Sequence, residues 1–143
     1  VRVTAPYDGA EQLWDAGFAF RVGRDADWRL IVSSSGGWEV RLGTSEPLAS
    51  GRAPSLRTEE GEANVIELAV DGDTAYLAVN REEAGSFDVA QRRVPGDVVF
   101  GTAFGENAFQ AGAETAYSRF QVWELPDDGA ATAVDADAVA LLE

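Results

Sequence analysis

The chain has 143 residues, of which 45% are apolar, too hydrophobic for a disordered chain and enough for one domain with a buried core. Its formal net charge is −14, from 25 acidic against 11 basic residues, every basic one an arginine, and this works against phosphate backbones and anionic lipid surfaces. Histidine and cysteine are both absent, which removes disulfides, Cys/His zinc sites and Ser–His or Cys–His nucleophile pairs.

No apolar run reaches the roughly 20 residues of a membrane helix, so no membrane insertion is expected. The chain starts at Val1 and contains no methionine, and it is read as a mature product or a piece of a longer protein. An acidic, lysine-free composition is what salt adaptation or GC-rich coding produces. It bears on solubility, not on fold.

Period-two alternation dominates, and turn residues punctuate it. Residues 1–14 are expected to hold a short strand that pairs with the last strand of the domain. Gly17–Gly23 reads as a strand with Phe18, Phe20 and Val22 on one face and Ala19 and Arg21 on the other. After the charged turn Arg24–Asp27, Trp28–Ser33 places Trp28, Leu30 and Val32 together. The Gly36–Gly37 pair then marks a turn. Trp38–Leu42 sets Trp38, Val40 and Leu42 against Glu39 and Arg41, the one-dry, one-wet pattern of an antiparallel sheet.

Gly43–Gly61, with Pro47 and Pro54, reads as a long loop with an irregular edge segment at Ser55–Arg57. Asn64–Val70 resumes the alternation, with Ile66, Leu68 and Val70 facing inward. Asp71-Gly72 is a two-residue hairpin signal, and Thr74–Val79 is the return strand. A short strand at Ser86–Val89 follows the acidic turn Arg81–Gly85. Pro95-Gly96 precedes a strand at Val98–Phe104, Glu106–Glu114 is a Gly/Ala-rich loop, and Thr115–Leu125 is the longest predicted strand. In it Ala116, Ser118, Phe120 and Val122 share one face, and Tyr117, Arg119, Gln121 and Trp123 the other.

Short strands at hairpin spacing with no long helix predict an all-β fold, an antiparallel two-sheet jelly-roll β-sandwich, over residues 1–126. Residues 127–143 read as a linker and a short C-terminal segment. There Val134, Ala138, Leu141 and Leu142 fall on one helical face, so 134–142 is a candidate docking element for this domain or for a partner.

Several pieces taken in order resemble a known family. They are Gly17-Phe18-Ala19-Phe20-Arg21, then Trp28-Arg29-Leu30-Ile31-Val32, then Gly37-Trp38-Glu39-Val40-Arg41. The hairpin Asn64-Val65-Ile66-Glu67-Leu68-Ala69-Val70-Asp71-Gly72 continues the series. Ala75-Tyr76-Leu77-Ala78-Val79-Asn80, Val98-Val99-Phe100-Gly101-Thr102 and Tyr117-Ser118-Arg119-Phe120-Gln121-Val122-Trp123 complete it. Together they resemble bacterial concanavalin A-like domains, related to laminin-G-like and 3-keto-disaccharide hydrolase-like modules, over roughly residues 15–125. The resemblance implies a jelly-roll sandwich. Two departures stand out: Arg81 replaces a glycine after Asn80, and Ser118-Arg119 replaces an Asp-Asn pair. No ion or ligand role at that pair carries over. The fold hosts lectins, glycanases and interaction modules alike, so it implies no single activity.

Glycan hydrolysis needs two carboxylates set across a cleft. No strand shows the alternating acid pattern of glucanases of this fold; Glu39 and Glu67 are the only strand acids left as candidates. No catalytic residue is assigned, and an enzyme is not expected. Calcium needs convergent oxygen ligands. Asp25 with Asp27, or Asp71 with Asp73, would be the metal candidates, and no other cofactor is indicated. For sugar stacking, Tyr7, Trp14, Trp28, Trp38, Tyr76, Tyr117 and Trp123 are the candidates, with Trp28 and Trp38 assigned to the core. The mixed face of Tyr117, Arg119, Gln121 and Trp123 is taken as the ligand-binding surface.

The leading expectation is a non-catalytic binding module, lectin-like, for carbohydrate or another cell-surface ligand within a larger extracellular or cell-envelope protein. The alternative is a structural or protein-interaction domain, a sensor or accessory of an envelope assembly. A glycan-processing enzyme ranks last.

Overall fold

A computed structural model describes residues 1–125. Ten strands form two five-stranded antiparallel sheets, and no helix occurs among the described residues. The strands are β1 (Arg2–Thr4), β2 (Asp15–Val22), β3 (Trp28–Ser33), β4 (Gly37–Leu42) and β5 (Ala49–Arg52), then β6 (Ala63–Asp71), β7 (Thr74–Val79), β8 (Glu82–Asp88), β9 (Asp97–Thr102) and β10 (Tyr117–Ser118). One sheet runs β10-β1-β6-β7-β8 and the other β5-β4-β3-β2-β9. The molecule is thus an all-β two-sheet sandwich. No described helix is long and apolar enough to cross a membrane.

Alternation decides which residues meet between the sheets. Phe18, Phe20, Trp28, Leu30, Val32, Trp38 and Val40 project from one sheet and Val3, Ile66, Leu77, Val79 and Phe87 from the other, all buried in one cluster. Aromatic rings knit this core: Phe18 meets Phe100 edge-on at 5.3 Å, Phe20 stacks with Trp28 at 6.4 Å, and Trp38 touches Phe87 at 5.6 Å. Burying side chains of this size contributes about 1.5–3 kcal/mol each, the main force holding the sheets together.

Polar groups pin the connections. Asn64 is fully buried; its Oδ1 accepts from the Arg57 N–H and its Nδ2 donates to the Arg57 carbonyl, both at 2.8 Å. Asn80 Nδ2 donates to Asn64 Oδ1 and to the Ser55 carbonyl, while its Oδ1 accepts from the Val65 N–H. This network ties the 53–62 loop to β6. At the opposite end, Arg21 donates to the carbonyls of Val89, Arg92 and Gly72, joining β2 to connections of the other sheet.

Several expected boundaries shift. The edge strand of the Gly43–Gly61 stretch lies at Ala49–Arg52, not at Ser55–Arg57, because it pairs with β4 from Gly37↔Arg52 to Val40↔Ala49. β8 begins at Glu82 rather than Ser86, because Asn80 and Arg81 alone make the turn, at φ of 52° and 71°. This is the left-handed backbone of a two-residue hairpin, so the departure from glycine at Arg81 is tolerated. The N-terminal strand does pair with the closing strand, through Arg2↔Ser118 and Val3↔Tyr117. That closing strand, however, spans only Tyr117–Ser118 instead of Thr115–Leu125. Phe120 and Val122, expected on one face of that strand, are 41% and 63% exposed. Arg119 has a positive φ of 53°, which takes the backbone out of the extended region there. The segment 127–143, with its docking element at 134–142, lies outside the described residues.

Candidate functional site

The same alternation that sends Trp28, Leu30, Val32, Trp38 and Val40 inward sends Arg29, Ile31, Ser33, Glu39 and Arg41 outward. On that outer face the pairing register lays side chains in rows across the strands. One row is Ser50–Glu39–Ile31–Gly17–Gly101. A second is Arg41–Arg29–Ala19–Val99, and a third is Arg52–Gly37–Ser33–Asp15. A groove of about 830 Å³ lies on this face, lined by residues of β2–β5 and walled on one side by residues 104–108. That volume is within the range of small-molecule sites, roughly 300–1,000 Å³.

Beside the groove β2 lies close on β3: a Cβ at Gly17 would sit 1.9 Å from the Leu30 carbonyl oxygen, so the strands leave no space for a side chain there. Over neighbouring Gly101 lies the half-buried ring of Phe104, 3.5 Å from where a Cβ would be. Phe104 lines the groove and gives it an aromatic wall. Trp38 reaches its edge from within, its Nε1 donating to the Ala84 carbonyl at 3.0 Å.

The charged side chains of the floor are held in place. Arg29 is gripped by Asp27 through two contacts, Nε to Oδ2 at 2.8 Å and Nη2 to Oδ1 at 3.3 Å. The side-chain hydrogen bond to Asp27 holds the Arg29 guanidinium above its ordinary pKa. Arg41 contacts Glu39 Oε1 through Nε at 2.7 Å and Nη2 at 2.6 Å. Asp15 is almost wholly buried, at 3% exposure, and its two oxygens accept from the N–H groups of Phe104 at 3.0 Å and Gly105 at 2.8 Å. Burial is the largest influence on its carboxyl and raises its pKa, against main-chain hydrogen bonds that lower it; the nearby Glu39 charge raises it further. Asp15 is therefore the anchor of the groove wall. Gln12 supports the same wall, donating to the Asn107 carbonyl at 2.6 Å.

None of the four residues assigned to ligand binding from sequence lines this groove. Tyr117 and Trp123 are 57% and 54% exposed, and Arg119 and Gln121 are exposed beside them. The Tyr117 ring rests 5.4 Å from Phe100. Trp14, a stacking candidate, is 1% exposed, while Trp28 and Trp38 are core as expected. Of the metal candidates, Asp27 is bound to Arg29 and Asp73 to Arg93, while Asp25 and Asp71 are exposed. No group of three or more acidic residues placed to hold a metal occurs among the described residues. Glu67, the other strand acid, lies on the opposite sheet, paired with Ala78 and raised in pKa by burial.

Sequence reasoning missed Asp15, Arg29, Ser33, Ser50 and Phe104. The alternation of β3 and β4 already set Arg29 and Ser33 outward with Glu39 and Arg41. What it did not contain was the folding of residues 104–108 over that face. No family model matches the chain, nor does any curated protein or solved structure.

Proposed function

We propose that this domain is a non-catalytic carbohydrate-binding module whose ligand lies in the groove across β2–β5. The observation that carries the reading is the pairing, in one groove, of an aromatic wall at Phe104 with a floor of immobilised hydrogen-bonding groups. Sugars present an apolar ring face and a fringe of hydroxyls. Phe104 meets the first; Arg29, Glu39, Arg41, Ser33 and Ser50 meet the second. Salt bridges fix the guanidinium groups beforehand, which lowers the entropy lost on binding. The concanavalin A-like resemblance and an extracellular or envelope setting fit this reading.

Both oxygens of Asp15 are occupied by main-chain amides, and Glu39 is engaged by Arg41. Neither is a free acid poised beside the other, which supports binding without turnover. Titration of neutral and acidic oligosaccharides by calorimetry tests the proposal. Phe104→Ala is expected to weaken binding about 5- to 150-fold, since truncating a stacked aromatic costs roughly 1–3 kcal/mol. Unchanged affinity in that variant, or glycan cleavage by the wild type that Glu39→Gln abolishes, would overturn it.

A second reading, a protein-interaction domain, is favoured by the exposed Tyr117, Phe120, Val122 and Trp123 on the closing segment. It expects Trp123→Ala to abolish capture of a protein partner while leaving glycan binding intact.

A further inference from the structure

Arg29 and Arg41 face each other directly across β3 and β4, on the outer face of the sheet. Side chains so paired have Cβ atoms about 4.5–5.5 Å apart, and like charges in that position oppose each other. The chain carries only 11 arginines against 25 acids, so setting two of them opposite one another on a groove floor runs against its composition. Their carboxylate partners lie on opposite sides of the pair. Asp27 precedes Arg29 toward one end of the groove, and Glu39 lies one row beyond Arg41 toward the other. Each guanidinium has five N–H donors. The contacts to Asp27 and Glu39 use Nε and Nη2 of each arginine, and both Nη1 groups have no partner among the described residues. Both side chains keep access to the groove, at 37% and 36% exposure.

We infer that the groove selects acidic sugars, with the carboxylate of one uronate residue received between Arg29 and Arg41. The inference rests on the carbohydrate reading above. A single carboxylate set between two guanidinium groups turns their mutual repulsion into attraction to a shared anion, and planar N–H forks match carboxylate geometry. The Phe104 wall receives the ring face of the same or the next sugar. The net charge of −14 opposes a densely charged polymer at long range, but at 0.15 M salt that opposition is screened beyond about 8 Å. The preferred ligand is therefore a glycan whose acidic residues are spaced among neutral ones.

Calorimetric titration of methylglucuronosyl-xylotriose and trigalacturonate, each beside its carboxyl-reduced counterpart, tests this. The acidic form of one pair or both is expected to bind at least about tenfold more tightly than its reduced form. Arg41→Gln and Arg29→Gln should each erase that preference, weakening the acidic form about tenfold more than the reduced form. Circular dichroism checks that the variants keep their fold. Binding of reduced glycans equal to that of the acidic ones overturns the uronate inference and leaves carbohydrate binding standing. Failure of every glycan, neutral or acidic, overturns both.

Discussion

At the scale of single residues, the most consequential side chains are polar and buried. Asp15 holds the groove wall through Phe104 and Gly105, although burial disfavours its charge. A carboxyl whose folded pKa lies above its unfolded value keeps its proton more firmly in the native state. The resulting stability is present below the ordinary carboxylate range and is lost as pH rises through the folded value. The unfolding free energy of the wild type, relative to Asp15→Asn, is thus expected to fall as pH rises from about 4. Chemical denaturation across that range checks it, and a difference independent of pH would count against the assignment. Asn64 has no such pH dependence. Asn64→Ala removes both partners of the Arg57 main chain and one acceptor of Asn80 Nδ2, and each such hydrogen bond contributes about 0.5–1.5 kcal/mol. A loss of about 2–4 kcal/mol in urea denaturation is expected.

At the scale of elements, the edge strand β5 depends on one close approach. A Cβ at Gly51 would fall 2.7 Å from the Trp38 indole, and one at Gly85 of β8 would fall 2.5 Å from the same ring. Two glycines on two different strands thus make the slot that seats Trp38, whose ring then packs on Phe87. Gly51→Ala should destabilise by about 1–3 kcal/mol, as overpacking of a filled core does. Thermal melting reads this directly, and a neutral result would show that β5 can slide away. β3 and β4 were legible in the sequence because both alternate, broken only by the outward-facing Ile31 of β3. β5 was not, since Ala49-Ser50-Gly51-Arg52 carries no alternation, and only hydrogen bonding to β4 makes it a strand. The closing segment failed the other way: alternation runs on from Tyr117 to Trp123, but strand pairing stops at Ser118.

At the scale of the whole molecule, a charge of −14 on 143 residues makes self-repulsion a term in folding. Raising sodium chloride from about 0.01 to 1 M shortens the Debye length from about 30 to 3 Å, and the melting temperature should rise by several degrees. A melting temperature that falls with salt would mean that the ion pairs of Arg29, Arg41 and Arg93 outweigh the repulsion. From the amino-acid order alone came the all-β class, the core tryptophans Trp28 and Trp38, and the removal of His- and Cys-based chemistry. These follow from local alternation and from which side chains exist at all. The groove was decided only in three dimensions. Its rows join residues of β2–β5 with β9, which comes much later in the chain, and its wall stands because a carboxylate at Asp15 reaches amides 89 and 90 residues away. Register between strands and the path of a loop are tertiary quantities, and the meeting of Arg29, Arg41 and Phe104 depends on both.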